Sequence, residues 1–367
     1  MTRESKRDRS GKEASVQDLV RSCYRSGGYV FASKAEDISE KYGTTRIARL
    51  ASNENPRSPP ERAIEQGCRA LADANRYPDE TMRSLTKALR LYHGNDYSFV
   101  TGVGMDGVIE TLTRTLVDPG DGVAISTPTF SFYRLAALAQ AAQVVEIPRG
   151  PDFSVDPELF VRKAGKVKIS FLCSPNNPTG TVTPIPDIEH ILTHIDGILF
   201  LDCAYVEFSD TDYRPLMQEY TNLVIGRTMS KVFALAGARV GYAFVPSWLA
   251  PFYLRASTPF VLNAISAQAA IGALEERSFV DETIAHARYW RKRYEDEIKY
   301  PVFPSGANFV MVDVAPFTGD EMVALLAEQG VIVRSCASFT GLANKYIRVS
   351  IGLDRENEQF LAAINSI

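Results

Sequence analysis

The sequence predicts an α/β fold in which a mostly parallel sheet lies between helices, followed by a smaller α+β domain at the C-terminal end. Strand-like and helix-like segments alternate along the middle of the chain, and most of the strand-like runs are apolar on both faces. Such runs are typical of parallel strands that helices cover on each side. Near the C-terminus, the order ANFVMVDV, GDEMVALLAEQG and YIRVSIG reads as strand, helix and strand, which predicts the smaller domain.

Length and composition agree with this organisation. The 367 residues correspond to about two domains, and 45% apolar and 23% charged residues are usual for a globular protein with a sizeable core. We expect residues 1–28 to form a flexible tail and a short helix, 29–250 a large domain, and 251–367 a small domain. Residues 29–48 would be an arm able to pack on the small domain.

The charge and the cysteines exclude several classes of protein. A net charge of −4 gives no basic field for nucleic acid, and no run of 18 apolar residues predicts a membrane span. The five cysteines are scattered without a CxxC pair, and the first residues lack the apolar segment of a secretory signal. The segment HILTH, with His190 and His194, lacks the glutamate of a zinc motif. We therefore expect a cytoplasmic protein without a metal.

The individual elements follow in chain order. A helix should begin near Pro60, because proline is favoured in a first helical turn, and should continue to about residue 73. ETMRSLTKALRLYHG and MDGVIETLTRTLVD also have helical patterns, and residues 259–300 are mainly helical. The strand-like runs are GVAIST, VKISFLC, GILFLDCAY and NLVIGRT.

The segment from Gly102 to Gly107 matches the pattern GxGxxG between a strand and a helix. A dinucleotide site also needs an acid after the next strand, and that strand ends in Thr127 and Pro128 instead. A Gly-rich turn that opens a helix can still bind one phosphate through free N–H groups. A plain tight turn, a phosphate site and a nicotinamide site all remain open from this segment alone.

Polar residues follow three of the predicted strands. Asn177 lies in SPNNPTG, Asp202 and Tyr205 lie in DCAY, and Lys231 lies in TMSK. In parallel sheets such strand ends meet at the ligand-binding edge. Burial and a nearby cation would make Lys231 a nucleophilic amine able to form a Schiff base, although a surface lysine, a turn or a helix cap would explain each segment alone. Together with a phosphate-binding turn, these groups suit a phosphorylated pyridine aldehyde.

With these motifs the chain resembles the pyridoxal-phosphate enzymes of the aspartate aminotransferase fold (fold type I), and most closely the histidinol-phosphate aminotransferases. The resemblance extends from about residue 29 to residue 357. It rests on the motifs LASNENP, RYPD, PGD, PTFSFY, SPNNPTG, DCAY, RTMSKVFALAGARVGY and RVSIG. It implies that pyridoxal 5′-phosphate is the cofactor.

The resemblance also implies roles for the residues around the cofactor ring. Lys231 would bind the cofactor covalently and later move a proton between the substrate α-carbon and the cofactor C4′. Asp202 would pair with the pyridinium nitrogen. Tyr205 and Asn177 would hydrogen-bond the phenolate oxygen, and Phe130, where the family often has tyrosine, would stack on the ring.

Further residues are implied for the phosphate and the substrate. The phosphate would be bound by the backbone of Met105 and Asp106 and by the side chains of Thr228, Ser230 and Arg239. Tyr77 would reach the cofactor phosphate of a neighbouring subunit, which makes a homodimer necessary. The substrate would contact Tyr29, Asn177, Arg334 and Arg348. The usual Asn-Gly-Ser-Asp-Glu of the phosphate loop is Val103-Gly104-Met105-Asp106-Gly107 here, so a hydroxyl donor and an acid are missing.

The implied activity is transfer of an amino group from a small-molecule donor to a 2-oxo acid, with histidinol phosphate and 2-oxoglutarate as the pair, in histidine biosynthesis. The alternatives are an aromatic or other amino-acid aminotransferase, an enzyme like threonine-phosphate decarboxylase, a nicotinamide-dependent oxidoreductase, and a cofactor-binding regulator without turnover.

Overall fold

The computed structural model describes residues 18–25, 28, 31, 33–94 and 96–367. The chain divides into a short unit, Met1–Phe31, and a large unit, Ala32–Ile367. Within the described part of the short unit, Ser22–Tyr24 form one turn of 3-10 helix and residues 18–21 are not helical. Of the short helix expected there, the described residues include this one turn.

A central sheet of seven strands has the order β2-β8-β7-β6-β5-β3-β4. The strands are β2 Ser98–Val103, β3 Gly122–Thr127, β4 Gln143–Pro148, β5 Ile169–Cys173, β6 Ile198–Asp202, β7 Leu223–Thr228 and β8 Val240–Val245. Strands β3 to β7 pair in parallel, and β8 is antiparallel to both β7 and β2. The middle strands β5, β6 and β7 are buried along their whole length, which explains their continuous apolar sequences.

The four strands predicted from apolar runs are confirmed as β3, β5, β6 and β7. The small residues of LAGARVGY predict a turn, and the first part of the segment is one: Ala236–Ala238 form a turn of 3-10 helix. Strand β8 begins directly afterwards, at Val240, because Val240–Val245 fill the gap between β2 and β7, where all six residues are buried. Tertiary context overrides local preference here.

Helices cover both faces of this sheet. Those that accompany it are α2 Glu61–Ala70, α3 Arg83–His93, α4 Gly104–Leu116, α5 Phe132–Ala139, α6 Pro157–Ala164, α7 Ile185–His194, α8 Ala250–Ala256 and α9 Ala264–Glu275; α1 is Ala35–Tyr42. Helices α2 and α9 approach closely because small residues meet between them: a Cβ on Gly272 would overlap the Arg62 carbonyl, and one on Gly67 would contact Ala269. The predicted helices are confirmed.

The C-terminal part has its own sheet and its own core. A four-stranded antiparallel sheet has the order β12-β13-β10-β9, and β1 pairs in parallel with β11. The elements are β1 Ala48–Arg49, β9 Val302–Phe303, β10 Phe309–Asp313, β11 Val331–Ile332, β12 Arg334–Ser335, β13 Tyr346–Ser350, α10 Arg277–Glu297, α11 Gly319–Glu328 and α12 Asp354–Ser366. The expected strand, helix and strand are confirmed as β10, α11 and β13.

Helix α10 contributes to two apolar cores. Tyr253 of α8 and Ala287 of α10 belong to the core of the large sheet, whereas Trp290 of α10 belongs to a second core together with Leu50. The boundary at residue 251 stays a prediction from the sequence. Ile38 of α1 packs with residues of α11 and β11.

The described residues contain neither a membrane-spanning helix nor a cluster of metal ligands. None of their helices is both long and apolar enough to cross a bilayer. No group of three histidine, cysteine, aspartate or glutamate side chains among them is placed to bind a metal ion.

Candidate active site

The carboxyl ends of β5, β6 and β7 lie side by side at one edge of the large sheet. Asp202 ends β6, and the register places it level with Cys173, the last residue of β5, and with Gly226, two residues before the end of β7. The segments that follow these three strands carry Asn177, Tyr205 and Lys231. The fold therefore brings the predicted polar residues to the edge where α/β proteins bind ligands.

Asp202 is a buried carboxylate that two donors hold in place. Tyr133 donates its hydroxyl proton to Oδ2 at 2.6 Å, and the N–H of Ala204 donates to Oδ1 at 3.0 Å. Burial raises the pKa of Asp202 to about 6, although the hydrogen bond from Tyr133 acts in the opposite direction. A charged carboxylate in such a place is stabilised by a cationic partner.

Tyr133 is a site residue that the sequence analysis missed. Its ring is fully buried and stacks on Phe171 at a centroid distance of 4.8 Å. It lies in the first turn of α5, within the quoted motif PTFSFY, and nothing in that motif shows that its hydroxyl contacts Asp202.

Lys231 follows β7 and is half-buried. Its Nζ is 3.4 Å from the carbonyl oxygen of Ser52 and 5.6 Å from the centre of the Tyr205 ring. Loss of hydration, with added repulsion from Arg348 and Arg239, lowers the pKa of Lys231 to about 8. An appreciable fraction of the amine is then uncharged near neutral pH, which is the nucleophilic form.

Tyr205 and Asn177 lie beside this amine. The Tyr205 hydroxyl accepts a hydrogen bond from Asn53 Nδ2 at 3.1 Å, and burial raises the pKa of Tyr205 above its usual value, so the phenol keeps its proton. Arg348 Nη1 donates to Asn177 Oδ1 at 2.5 Å, which leaves the amide nitrogen of Asn177 for a ligand. Asn53 belongs to the quoted motif LASNENP, but no role was predicted for it.

A site for an anion lies at the start of α4. Gly104 has a φ of +67°, and a Cβ there would overlap the guanidinium of Arg239. Arg239 Nη2 is 2.9 Å from Asp106 Oδ2, at the point where the first-turn N–H groups, including those of Met105 and Asp106, have no partner within the helix. Free N–H groups, the helix dipole and a guanidinium together favour a phosphate.

Two hydroxyls adjoin this helix end. Thr228 pairs with Gly241 across β7 and β8, and a Cβ on Gly241 would overlap the backbone of Gly104. Ser230 N–H donates to Thr228 Oγ1 at 3.1 Å, and the Thr228 hydroxyl donates to Ser230 Oγ at 3.0 Å. Both side chains are buried, so they add two fixed polar groups next to the free N–H groups.

The loop with Phe130 is fastened to the SPNNPTG loop by Asn176. The Asn176 amide donates to the Pro128 carbonyl at 3.0 Å and accepts from the Thr129 hydroxyl at 2.8 Å. Phe130 meets the Tyr133 ring edge-on at 5.6 Å. The two neighbouring asparagines thus differ in role: Asn176 fixes a loop, and Asn177 faces Arg348.

The two arginines predicted for the substrate belong to the small sheet, and the tyrosine predicted for a second subunit lies at the surface. Arg334 of β12 and Arg348 of β13 are directly opposite each other in the small sheet, so both side chains leave the same face. Tyr77 is 81% exposed and stacks on Phe260 at 4.5 Å. Tyr29 lies outside the described residues.

Comparison with known proteins identifies the family. Residues 45–364 match the family described as aminotransferase class I and II. The chain belongs to this aminotransferase family. A histidinol-phosphate aminotransferase of Methanoculleus marisnigri is 60% identical over 353 residues, which cover 96% of this chain and 100% of that protein. One of Methanosarcina mazei is 40% identical over 340 residues, which cover 91% and 92% of the two chains.

Solved structures agree with this membership. The crystal structure of a histidinol-phosphate aminotransferase from Clostridium acetobutylicum matches with a TM-score of 0.82 at 25% identity, over 87% of this chain and 98% of that one. That of the Sinorhizobium meliloti protein, in complex with pyridoxal 5′-phosphate, matches with a TM-score of 0.84 at 24% identity, over 95% and 96%. The fold is therefore that of the pyridoxal-phosphate aminotransferases.

The donor set fits the cofactor that the aminotransferase family implies. Asp202 is a buried carboxylate suited to a pyridinium nitrogen, Lys231 is an amine whose pKa is lowered, and the Arg239 guanidinium beside the start of α4 is suited to a phosphate. Gly104 and Gly241 keep the start of α4 free of the Cβ atoms that would fill this site. The polar groups of the site thus match the ring nitrogen, the aldehyde and the phosphate of pyridoxal phosphate.

Proposed function

We propose that the chain is a histidinol-phosphate:2-oxoglutarate aminotransferase of histidine biosynthesis that uses pyridoxal phosphate. The identity to the Methanoculleus protein supports this, and the paired arginines 334 and 348 carry the structural argument. Histidinol phosphate brings a phosphate dianion and 2-oxoglutarate brings two carboxylates. A site that binds both in turn needs guanidinium groups able to accept either kind of anion.

Four groups would hold the cofactor in this proposal. Asp202 would bind the ring nitrogen, Tyr205 and Asn177 the phenolate oxygen, and the Arg239 site the phosphate. When bound, the cofactor supplies an electron-withdrawing ring that stabilises negative charge on the substrate carbon that bears the amino group.

Lys231 is the group that moves protons. Its Nζ would take the proton from the substrate's amino-bearing carbon and deliver it to C4′ of the cofactor. The pKa of about 8 makes the neutral amine available near physiological pH. The positive charges of Arg348 and Arg239 contribute to this lowering, because they disfavour the protonated amine.

Arg348 orients the substrate from the small sheet. Its guanidinium is buried, donates to Asn177 Oδ1 and to the Ala51 carbonyl, and has a buried Nε without a partner in the described residues. A buried donor without a partner favours an incoming anion. Arg334, opposite it, would bind the phosphate or the distal carboxylate.

A panel of amino donors tests the substrate. With 2-oxoglutarate as acceptor, we expect kcat/KM for histidinol phosphate to exceed that for histidinol, which lacks the phosphate, by at least about 100-fold, because an ion pair with phosphate contributes several kcal/mol. Arg334→Gln should remove most of this advantage and leave the histidinol rate nearly unchanged. A preference for phenylalanine or tyrosine would instead favour an aromatic aminotransferase.

We also propose a homodimer in which Tyr77 enters the site of the partner subunit. Its ring is mostly exposed and stacks on Phe260 at the surface of its own subunit. Tyr77→Ala should lose cofactor affinity, and Lys231→Ala should lose activity. When the two inactive variants are mixed and refolded, about a quarter of the sites should combine an intact lysine and an intact tyrosine and regain activity. If the mixture stays inactive, Tyr77 does not act across subunits.

We infer further that the enzyme works in the cytoplasm. All five cysteines lie in the described part of the chain as free thiols, and three of them are buried. Free thiols persist in reducing compartments. Cell fractionation should recover the protein with cytoplasmic enzymes.

A further inference from the structure

Asn53 links the small sheet to the tyrosine beside Lys231. It has a φ of +53°, a left-handed conformation that asparagine tolerates better than most residues, and only 1% of its surface is exposed. Its side chain contacts Ser350 of β13 on one side and Tyr205 on the other. Asn308 donates to its carbonyl oxygen at 3.1 Å.

Ser350 determines which way the Asn53 amide points. The backbone N–H of Asn53 donates to Ser350 Oγ at 2.8 Å, and the Ser350 hydroxyl donates its proton to Asn53 Oδ1 at 3.1 Å. With the amide reversed, Nδ2 would face Ser350 Oγ, and the serine proton would be buried without an acceptor, which is costly. Oδ1 therefore faces Ser350, and Nδ2 faces Tyr205.

The amide orientation in turn fixes the direction of the Tyr205 hydroxyl. Tyr205 accepts from Asn53 Nδ2 at 3.1 Å. A phenol has one proton, and it cannot be donated to a nitrogen that is itself a donor. The proton must therefore be directed elsewhere, and Lys231 Nζ lies 5.6 Å from the centre of the same ring.

We propose that Asn53 is a positioning residue that directs the Tyr205 proton onto the phenolate oxygen of the cofactor, with Ser350 fixing the amide. The inference rests on the proposed cofactor site and goes beyond it, because it assigns the donor at each step from Asn53 N–H to Tyr205.

This arrangement affects how tightly Lys231 binds a proton in the holoenzyme. Once Nζ is linked to the cofactor, the neighbouring phenolate oxygen stabilises a proton on it. A hydrogen bond donated to that oxygen withdraws negative charge, and so lowers the pKa of the linked nitrogen. Asn53 thus keeps this nitrogen easier to deprotonate, acting through Tyr205.

The substitution Asn53→Asp reverses the direction with little change of shape. Aspartate also tolerates the left-handed backbone, but its carboxylate accepts the Tyr205 proton and takes it away from the cofactor. Loss of this hydrogen bond should by itself raise the pKa of the linked Nζ by about one, a roughly tenfold change in proton affinity. Visible absorbance of the substrate-free holoenzyme, followed from slightly acidic to alkaline pH, measures it directly.

The added negative charge also raises this pKa by itself, so the substitution is repeated in a Tyr205→Phe background. There the charge acts without the hydrogen bond, and we expect the rise caused by Asn53→Asp to be smaller by about one. Equal rises in both backgrounds, or no rise in either, would overturn the proposal.

Other variants keep the test decisive if Asn53→Asp folds poorly. Asn53→Gly keeps the backbone conformation and removes the amide, and Ser350→Ala releases the amide; each should raise the pKa, by less than Asn53→Asp. Asn308→Ala is the matched control, since it removes a bond to the Asn53 carbonyl only. It should lower Tm without moving the pKa, and an equal pKa change in this control would attribute the effect to general loosening and contradict the proposal.

The same titration separates two kinds of failure. A wild-type protein that shows no titrating visible band, even with pyridoxal phosphate supplied, contradicts the proposed function. In the other case, the wild type titrates normally while the Asn53 variants change the pKa only as much as their added charge predicts. That result contradicts only the role of Asn53.

Discussion

Asp202→Asn should stabilise the protein without cofactor while impairing catalysis. Asparagine keeps both contacts, one of them reversed: its Oδ1 can accept from the Ala204 N–H, and its Nδ2 can donate to the Tyr133 hydroxyl, whose own proton then turns to the neighbouring Cys173 sulfur. What the substitution removes is the burial of a charge. In the holoenzyme that charge faces the ring nitrogen, so its loss should lower kcat by orders of magnitude.

The magnitude follows from the pKa of Asp202, which burial raises from 3.8 to about 6. Between these values the folded apoenzyme binds more protons than the unfolded chain, so its stability falls as pH rises through this window and levels off above it. Full ionisation corresponds to about 3 kcal/mol of lost stability. The advantage of the asparagine variant should therefore grow from about 2 kcal/mol near pH 5 to about 3 kcal/mol near pH 8.

Urea unfolding of the two apoenzymes at several pH values measures this difference, since other titrating groups contribute equally to both and cancel. Asp202→Glu, which keeps the charge, is the matched control and should not be stabilised. The asparagine variant could gain no stability, or gain an amount that does not change with pH. Either result would show that ionising the buried Asp202 carboxylate does not lower the free energy of unfolding, contrary to what its burial implies. Near-normal turnover would contradict its pairing with the cofactor ring.

Three further substitutions test other parts of the structure. Tyr133→Phe removes a donor to Asp202, so kcat should fall about tenfold while the cofactor stays bound; unchanged kinetics would show that Asp202 needs no support. Gly241→Ala places a Cβ against the start of α4 and should weaken cofactor binding by at least about tenfold in a fluorescence titration; wild-type affinity would mean the phosphate lies elsewhere. Glu207→Gln leaves Arg227 without its buried charged partner, 2.7 Å away, and should lower the free energy of unfolding by about 3 kcal/mol; a loss under about 1 kcal/mol would mean that solvent screens the pair.

Much of the fold could be predicted because the relevant signals are local. Strands β5, β6 and β7 are apolar along their whole length, and each is followed by a short polar motif, so the sequence alone places Asp202 and Lys231 at one edge of a sheet. Strand β8 was not predictable in this way. It forms because β2, which is distant in the chain, pairs along its whole length.

The site residues likewise divide into those that local motifs predict and those that only the tertiary structure reveals. Lys231, Asp202 and Arg239 stand in motifs whose residue types already indicate their chemistry, although their roles remain predictions for this chain. Tyr133 and Asn53 were missed because their importance comes from one tertiary hydrogen bond each, to Asp202 and to Tyr205. No pattern within their own segments shows which atom they contact.

Reduction of the purified holoenzyme with borohydride, followed by peptide mass analysis, tests the central claim most directly. Lys231 carries an amine of lowered pKa beside the proposed phosphate site, so the pyridoxyl adduct should be found on Lys231 and should disappear in Lys231→Ala. An adduct on another lysine, or none after the protein has been supplied with pyridoxal phosphate, would contradict the assignment of this site.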